Sequence, residues 1–576
     1  MDCRYHAKKI KMDRQTIIRN YQEKPEVSVL IVGAGVNGIG VFHDLALQGV
    51  DVLMVDKKDF CSGVSSASSH MVHGGIRYLE NGEFRLVREA IRERNRLLKN
   101  APHYVKPLST IIPIYKWLSG IFNAPLKFLG LLDQPSERGA IIIMIGLLLY
   151  DVYTKAQAVV PKHKFRSRKA SLAKFPKINP RVLCTANYFD GSMHIPERIC
   201  VEILLDGEAS NPRAHALNYV ALENAERSRV TLIDELSGDS FVVKPEIVIN
   251  AGGPWIDFVN ARMGLRTQFI GGTKGSHLIL DNPDLREAIG ENEFFFENKD
   301  GRIVLIYPLE DMVMIGTSDV PIDDPEEVRC TDEEIEYFFG MVPHVFPDIA
   351  LTREQIVFQF SGVRPLPTMD AANPGQISRD HSIRVSEPGS SLDFPIYSLV
   401  GGKWTSYRAF SEKVTDKTLG ALNRPRMKST RDLAVGGGKD YPKDQNARAA
   451  WIDATVTKTG LSAERGSILF ERYGTRAEPI AAYLSQGEDV PLKYLPDYSQ
   501  REIEFIALNE RVTHLDDFFI RRTMLAKLGR LSLANIDEAA KIIGIRLNWP
   551  AERQSEEFRR TCEVLKEYHN VVPKDE

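Results

Sequence analysis

The chain has 576 residues, of which 43% are hydrophobic and 26% are charged, and its formal net charge is −3. This length exceeds what one ordinary hydrophobic core holds and predicts two or three globular domains. The nearly balanced charge excludes a general nucleic-acid binder, because such proteins are usually strongly basic.

The N-terminal residues 1–24 are polar and basic and lack the apolar core of a secretory signal. The six cysteines are widely scattered and form no CxxC pair. This usage favours reduced thiols in a cytoplasmic protein over a disulfide framework or a zinc site, and we expect no metal centre.

The first predicted unit runs from Val27 to Asp56. An apolar run breaks into Gly33, Gly35 and Gly38, an amphipathic segment follows, and a second apolar run ends in Asp56. This order predicts strand, tight turn, helix and strand, with glycines that let a diphosphate approach the helix N-terminus. Asp56 lies 18 residues after Gly38, where a carboxylate can accept hydrogen bonds from a ribose. The unit therefore predicts a dinucleotide site.

The next segment, Cys61 to Leu86, combines small hydroxyl residues, two histidines, a Gly-Gly pair and an Arg-Tyr pair. Serines and glycines allow a backbone to approach a flat ring and a diphosphate, and an arginine offers a two-pronged donor to an anion. By itself this composition fits either a polar surface loop or part of the nucleotide site.

Two apolar stretches follow. Gly139 to Tyr150 holds 12 residues, well short of the roughly 20 that a membrane-spanning helix needs, so it predicts a buried helix. Trp117 to Pro135 is apolar with a single lysine, which is typical of a segment that dips into a lipid interface. An ordinary surface segment is the alternative.

Later elements continue the alternation of strands and turns. Glu246 to Trp255 predicts a buried strand that ends in a Gly-Gly turn. Residues 256 to about 370 alternate short apolar runs with charged helical stretches, which favours a mixed sheet over a ligand cavity. A strand, a glycine turn and a helix then follow around Gly401, and that turn offers N–H groups at a helix start.

The last part of the chain has a different pattern. Pro425 and the glycines 436–438 mark a linker, and the residues beyond 445 have the spacing of amphipathic helices. We expect an all-helical domain here, and no chemistry can be inferred from its sequence.

Seven motifs occur along the chain in one order: GAGVNGIG, SSASSHMVHGGIRYLENGEFRLVREA, NAGGPW, KGSH, GTSD, SGVRPL and GGKWTSYR. In this order they resemble the FAD-dependent glycerol-3-phosphate dehydrogenase family over roughly residues 27 to 410, and more weakly beyond. The resemblance implies an α/β fold: an FAD-binding Rossmann-like domain, a mixed-sheet substrate domain of the D-amino-acid-oxidase type, and a C-terminal all-α domain.

The pattern and the resemblance together predict the domain boundaries. The discontinuous FAD-binding domain is expected at 27–100, 181–255 and 375–420. The substrate domain is expected at 101–180 and 256–374, and the helical domain at 441–576.

FAD is thus the expected cofactor. We expect it to contact the nucleotide unit, the serine-rich segment and the two later glycine turns, through Gly33, Gly35, Gly38, Asp56, Ser65, Ser66, Ser69, Gly74, Gly252, Gly401, Gly402 and Thr405. Thr317 is a further candidate, beside Thr405, for donation to the flavin carbonyls.

Oxidation of a secondary alcohol requires hydride transfer to the flavin, a base for the hydroxyl proton, and cations for the phosphate. His73 is the expected base, because an imidazole titrates near neutrality; a structural histidine bonded to backbone is the alternative. His70 is expected to be peripheral, since its place in the family is often Lys or Arg. Arg364 is expected to hold the substrate hydroxyl and to stabilise the charge that develops there.

The candidates for the substrate phosphate are Arg77, Tyr78, Lys274 and Lys403. Taken singly, each cation fits an ordinary ion pair equally well. The resemblance implies sn-glycerol 3-phosphate as the substrate and dihydroxyacetone phosphate as the product. Another polyol phosphate, such as a tetritol phosphate, and a catalytically silent flavoprotein are the alternatives.

The family commonly passes its electrons to a membrane quinone. The chain has no second dinucleotide unit, no iron–sulfur cysteine cluster and no haem motif, so we expect direct transfer to a small acceptor. These features predict a peripheral protein on the inner face of the cytoplasmic membrane, in contact through Trp117 to Leu132 and a basic face around Arg521 and Arg522. Oxygen is the alternative acceptor, and the oligomeric state stays open, a homodimer included.

Overall fold

The computed structural model describes residues 12–75, 83–117, 140–154, 159–298, 300–322, 324–326, 328–367 and 381–575. Within them the chain forms two mixed β-sheets and a C-terminal set of helices, which confirms the predicted fold class.

The first sheet has the order β17-β18-β10-β1-β2-β7, in which β18 to β7 form a parallel core and β17 pairs antiparallel with β18. β8 and β9 extend β10 as an antiparallel ribbon. Its strands are β1 (Glu26–Val32), β2 (Val52–Val55), β7 (Ala214–Leu217), β8 (Val220–Glu226), β9 (Arg229–Asp234), β10 (Ser240–Asn250), β17 (Ser382–Ser386) and β18 (Ile396–Val400). β1 lies between β2 and β10 and is buried after its first residue, because helices and other strands cover both of its faces.

The second sheet follows the order β15-β11-β14-β13-β12-β4-β6-β3, with β16 beside β11 and β5 beside β6. Its strands are β3 (Met71–Val72), β4 (Val105–Ile114), β5 (Lys164–Ser167), β6 (Cys184–Met193), β11 (Thr273–Leu280), β12 (Asn292–Glu297), β13 (Ile303–Leu309), β14 (Met312–Gly316), β15 (Val320–Pro321) and β16 (Ile356–Arg364). The pair β12–β4 is parallel and the other pairs are antiparallel.

β6 belongs to the second sheet, not to the sheet that contains the nucleotide unit. The sequence assigned 181–255 to the FAD-binding domain, yet β6 pairs along its whole length with β4 of the second sheet. The long antiparallel pairing holds β6 there, and the chain returns to the first sheet only through the helix that follows at Pro196.

The described helices are α1 (Arg14–Glu23), α2 (Val36–Leu47), α3 (Phe84–Asn100), α4 (Ala140–Thr154), α5 (Arg168–Lys174), α6 (Pro196–Ser210), α7 (Ile256–Arg262), α8 (Pro283–Ile289), α9 (Asp332–Val345), α10 (Tyr407–Ala421), α11 (Gln445–Thr459), α12 (Ala463–Tyr473), α13 (Ala477–Leu484), α14 (Gln500–Asn509), α15 (Leu533–Arg546) and α16 (Ala551–His569). α2, α6 and α10 pack together on the first sheet, and α11–α16 form the C-terminal set. Among the residues that the structure describes, no helix combines the length and apolarity needed to cross a bilayer.

α4 departs from the expected buried helix. Leu147 and Tyr150 are buried, whereas one side of the helix exposes 39–52% of four apolar residues: Met144, Ile145, Leu148 and Leu149. The apolar run is continuous around the helix, so its sequence could not show that only one face packs inward. The neighbouring Trp117 is 57% exposed, and the rest of the predicted lipid-contact segment up to Leu132 lies outside the described residues.

The predicted linker is held in place. The backbone N–H of Gly436 donates to Asp206 Oδ2 at 2.7 Å, and that of Gly437 donates to Glu202 Oε2 at 2.9 Å. A Cβ on Gly437 would lie 1.9 Å from the Tyr473 carbonyl oxygen. These glycines therefore allow the chain to pack closely between α6 and the C-terminal helices.

Arg521 and Arg522 do not form the basic surface that the sequence predicted. Arg522 donates to both carboxylate oxygens of Asp59, at 2.7 and 3.0 Å, and Arg521 donates to Asp59 and Asp517, each at 2.6 Å. All four side chains are buried. Although burial opposes ionisation, Arg522 and Arg521 hold the pKa of Asp59 well below its ordinary value. The two arginines thus join the helical part to the first sheet instead of facing lipid.

This buried cluster generates a stability prediction. Arg522→Met should lower the free energy of unfolding in urea by about 3–5 kcal/mol, because it removes one partner of a buried ion pair. Lys541→Met, which breaks the exposed pair with Asp537, is the control and should leave that free energy nearly unchanged. Because the folded pKa of Asp59 is depressed, its contribution should be present above the unfolded pKa and fade as the pH falls. Equal losses in the two variants would contradict the prediction.

Candidate active site

A cavity of about 1260 Å³ lies between the two sheets. Its walls come from the β1–α2 turn, the 62–75 segment, the turn after β10, the inner faces of β11–β13, and the turns after β14, β16 and β18. Thirteen of the predicted site residues line it: Gly33, Gly35, Asp56, Ser65, Ser69, His73, Gly252, Thr317, Arg364, Gly401, Gly402, Lys403 and Thr405.

The three glycines of the β1–α2 turn have different physical roles. Gly33 has φ +104°, and a Cβ there would lie 2.6 Å from the Ala251 carbonyl oxygen. A Cβ on Gly38 would lie 2.0 Å from the Gly33 carbonyl oxygen, and Gly38 packs α2 on β1 without lining the cavity. Gly35 has an ordinary φ of −74°, and its Cβ would meet only Ser65 Oγ, at 3.2 Å. Gly35 therefore keeps the N-terminus of α2 open to the cavity.

The N-terminus of α2 faces the cavity with groups suited to an anion. Its first N–H, that of Val36, donates to Ser65 Oγ at 2.9 Å, and the Trp404 indole donates to the Ser65 carbonyl at 2.8 Å. Gly402, at φ +106°, crosses over this turn so closely that a Cβ would lie 2.5 Å from Asn37 Nδ2. Helix dipole, hydroxyl and glycine turn together fit a diphosphate.

Asp56 ends β2 at the same edge of the cavity. One carboxylate oxygen accepts from the Ala34 N–H at 2.7 Å, and the other accepts from the Lys58 N–H at 2.9 Å. Burial raises the pKa of Asp56 to about 6, while these two hydrogen bonds oppose that shift. The carboxyl group is therefore fixed in direction and can accept from a ribose hydroxyl.

The predicted catalytic residues His73 and Arg364 line the same cavity. The His73 N–H donates to Thr405 Oγ1 at 3.2 Å, which ties the serine-rich segment to the turn after β18. Arg364 donates to Asp319 Oδ1 at 3.1 Å and to Thr317 Oγ1 at 2.9 Å. A Cβ on Gly275 would lie 2.2 Å from the guanidinium, so this glycine lets Arg364 lie flat against β11. The direction of the positive charge is thereby fixed.

Thr317 is oriented differently from the expectation that it donates to a flavin. Its hydroxyl donates to the Ser318 carbonyl at 3.2 Å while it accepts from Arg364. Because a hydroxyl has one proton, Thr317 in this arrangement supports Arg364.

Lys274 does not line the cavity, contrary to its prediction as a phosphate ligand. Alternate residues of a strand face opposite sides, and in β11 the cavity side belongs to Gly275 and His277. On the other side, Lys274 Nζ lies 2.8 Å from Glu334 Oε2 and donates to the Arg329 carbonyl at 2.7 Å. A buried ion pair therefore holds this lysine.

His277 is a cavity residue that the sequence analysis did not single out. Its Nε2 lies 2.8 Å from Ser69 Oγ, and its ring stacks on Phe360 with centroids 4.9 Å apart. Burial, and then the nearby Arg364, lower the pKa of His277 to about 3, so the ring is neutral at physiological pH. The KGSH motif lies in a strand, where alternate side chains face opposite sides. The alternation that turns Lys274 away from the cavity therefore turns His277 toward it.

Two further predictions also change. Ser66 and Gly74 do not line the cavity: Ser66 Oγ donates to the Gly63 carbonyl at 2.8 Å, and Gly74 packs behind the wall. His70 is fully buried outside the cavity, with Nε2 3.5 Å from Lys527 Nζ. The predicted phosphate ligands Arg77 and Tyr78 lie outside the described residues.

Comparisons with known proteins identify relatives along nearly the whole chain. Residues 28–381 match the family model of FAD dependent oxidoreductases, and residues 428–554 match the C-terminal domain of alpha-glycerophosphate oxidase. A Synechocystis glycerol-3-phosphate dehydrogenase is 33% identical, with 96% of this chain and 99% of the relative covered. An aerobic glycerol-3-phosphate dehydrogenase of Staphylococcus haemolyticus is 28% identical, with 95% of each covered. A Bacillus halodurans glycerol-3-phosphate dehydrogenase solved with FAD has the same fold, with TM-score 0.73, 23% identity, and 96% and 97% coverage.

The turn geometry predicts how flavin binding can be removed without unfolding the chain. Gly35→Val should give folded, colourless protein, because the backbone there accepts a side chain but the side chain enters the diphosphate path. Gly340→Val is the control, since a Cβ at that exposed helix position meets nothing within 4 Å. The flavin absorbance of each purified variant and its circular dichroism are the measurements. Full flavin occupancy in Gly35→Val would show that the diphosphate does not bind at this turn.

Proposed function

The chain belongs to the FAD-dependent glycerol-3-phosphate dehydrogenase family, and from that premise we propose that it oxidises sn-glycerol 3-phosphate to dihydroxyacetone phosphate and passes the electrons to a quinone. The observation that carries the proposal is the shared cavity. His73, Arg364 and Lys403 line the same space as the glycine cradle at α2, so an alcohol held by these residues can face a flavin ring.

FAD bound along the cradle would supply the hydride acceptor for C2 of the alcohol. The chain's own residues supply the remaining requirements. His73 takes the proton from the C2 hydroxyl, and Arg364 donates to the same oxygen as negative charge develops on it. Because Asp319 and Thr317 fix the guanidinium, Arg364 needs little reorganisation during the reaction.

Lys403 is the described cation proposed for the substrate phosphate, and Arg77 and Tyr78 stay proposed partners outside the described residues. Ser69 and the neutral His277 form a further polar pair on the cavity wall. Because the His277 imidazole is neutral, it adds no second positive charge beside Arg364. Arg364 is then the cationic donor proposed for the C2 hydroxyl oxygen of the substrate.

For the acceptor step we propose a membrane contact through the exposed face of α4. This face carries four apolar side chains in the described residues, next to the exposed Trp117. An apolar helix face at the surface is suited to the acyl–headgroup boundary of a bilayer, where a quinone is accessible. Arg521 and Arg522 are buried and do not take part in this contact. The protein would bind the inner face of the cytoplasmic membrane through α4.

Substitutions at the substrate end test the proposed chemistry. His73→Ala and Arg364→Ala should keep FAD but lower the rate of anaerobic flavin reduction by glycerol 3-phosphate, by about 10²- to 10⁴-fold for a positioned base and about 10²- to 10³-fold for an oxyanion donor. Lys403→Ala should instead act mainly on the dissociation constant of the substrate. Stopped-flow absorbance separates the two quantities.

Lys274→Met is the matched control for Lys403→Ala. It should lower thermal stability, because Glu334 loses its buried partner, yet leave the substrate dissociation constant of the folded protein unchanged. Wild-type reduction rates in His73→Ala would place the base elsewhere. If a tetritol phosphate bleached the wild-type flavin faster than glycerol 3-phosphate does, the tetritol phosphate would be the preferred substrate.

The acceptor proposal has its own test. Ile145, Leu148 and Leu149 changed together to Gln should move the protein from sedimenting vesicles to the supernatant and spare its activity with a soluble quinone analogue. Ile545→Gln, at an apolar residue 69% exposed in the C-terminal set, is the control and should not change partition. Stoichiometric hydrogen peroxide in air, without vesicle binding by the wild type, would identify an oxidase instead.

A further inference from the structure

The peptide that follows the proposed base is held by a buried cluster at the cavity wall, to which Asp190 contributes a lining side chain. Gly74 comes directly after His73, and its N–H donates to Asp190 Oδ1 at 3.0 Å. Its Cα faces Tyr150 so closely that a Cβ would lie 2.2 Å from the phenol oxygen. Gly74 therefore has a specific neighbour on the protein side, which explains why it does not line the cavity.

Tyr150 belongs to a compact buried cluster. Its hydroxyl donates to Asp190 Oδ1 at 2.5 Å and accepts from Arg94 Nη1 at 2.5 Å, and Arg94 Nη1 also lies 3.0 Å from the same carboxylate oxygen. Asp190 Oδ1 thus receives three donors: the phenol, the guanidinium and the Gly74 N–H. No more than 2% of any of the three side chains is exposed.

The cluster collects side chains from three separate elements. Arg94 comes from α3, Tyr150 from α4 and Asp190 from β6, and these elements share one apolar core. Burial, and then the nearby carboxylate, raise the pKa of the Tyr150 hydroxyl well above its ordinary value, while Arg94 opposes that shift. The phenol is therefore a protonated donor at neutral pH.

The two sides of His73 are consequently fixed by different parts of the fold. The His73 N–H is held by Thr405 Oγ1, and the following N–H is held by Asp190. We propose that Tyr150 is a positioning residue for flavin reduction: with Asp190 and Arg94 it fixes the His73–Gly74 peptide and so aims the imidazole at the substrate hydroxyl. This inference rests on the proposed role of His73 as the base.

The phenol oxygen is the part of the cluster whose loss should affect geometry more than folding. Without it, Arg94 and Asp190 keep their own ion pair, so no buried charge loses its partner. Space opens next to Gly74, however, and Asp190 Oδ1 loses its short donor. The turn is then free to shift by a fraction of an ångström, and a proton transfer is sensitive to such shifts.

The test compares Tyr150→Phe with the wild-type holoenzyme in anaerobic stopped-flow reduction by glycerol 3-phosphate. We expect FAD content and the substrate dissociation constant to stay unchanged, while the rate of flavin reduction falls about 10- to 100-fold. The solvent deuterium isotope effect on that rate should rise, because transfer of the hydroxyl proton becomes slower. A merely structural role would change the thermal midpoint and the FAD content but not the isotope effect.

Tyr115→Phe is the matched control. It removes a phenol that donates to the His344 carbonyl at 3.1 Å and that does not line the cavity, and it should leave rate and isotope effect unchanged. Gly74→Ala perturbs the same contact from the other side, because its Cβ would strike the Tyr150 oxygen. This variant should show the same slow reduction and the same raised isotope effect.

The outcomes separate this inference from the proposed function. If the wild-type flavin is not bleached by glycerol 3-phosphate, the proposed function fails. If the wild type is bleached and Tyr150→Phe or Gly74→Ala keeps the wild-type rate and isotope effect with full FAD, the positioning role of Tyr150 is wrong. Slow reduction with a raised isotope effect in both variants supports the positioning role of Tyr150. This holds even if one variant is partly destabilised.

Discussion

Close backbone contact between β1, α2 and β10 is the constraint on which the site depends. At Gly33 the chain approaches the Ala251 carbonyl so closely that no side chain fits, and Gly38 seats α2 against Gly33 in the same way. The contact directs the N-terminus of α2 into the cavity and leaves Gly35 facing the open space. The diphosphate cradle, Asp56 at the neighbouring strand end and the turn at Gly402 are all placed relative to this contact.

The charges around the cavity are held in fixed directions. Arg364 is paired with Asp319, and the carboxyl group of Asp56 is fixed by two backbone N–H groups. His277 stays neutral because burial and Arg364 both disfavour its protonation. A site for an anionic substrate thus has cationic and neutral donors in definite positions, and preorganised donors of this kind act without rearranging during the reaction.

The C-terminal helices are joined to the rest of the protein by buried ion pairs. Arg521 and Arg522 meet Asp59, and Lys527 lies 2.5 Å from Glu197 and 3.5 Å from His70. Asp59 follows Asp56 by three residues, so this connection reaches the backbone beside the residue proposed to bind the ribose. The helical part therefore supports the serine-rich segment from behind, although its sequence carries no chemical motif.

The sequence by itself determined the β1–α2–β2 unit, the flavin cofactor, and the placement of His73, Arg364 and Lys403 in one cavity. The nucleotide unit follows from local glycine spacing, whereas the flavin and the candidate residues follow from the resemblance of the short motifs to a known family. Only the tertiary structure decided that Lys274 points away while His277 points in, because the face of a strand depends on its register with neighbours. It also decided that Arg521 and Arg522 are buried and that one side of α4 is exposed. The partner of a charged or apolar segment is set by which distant segments pack together, and this cannot be inferred from local sequence. Asp59, for example, lies more than 400 residues from both arginines.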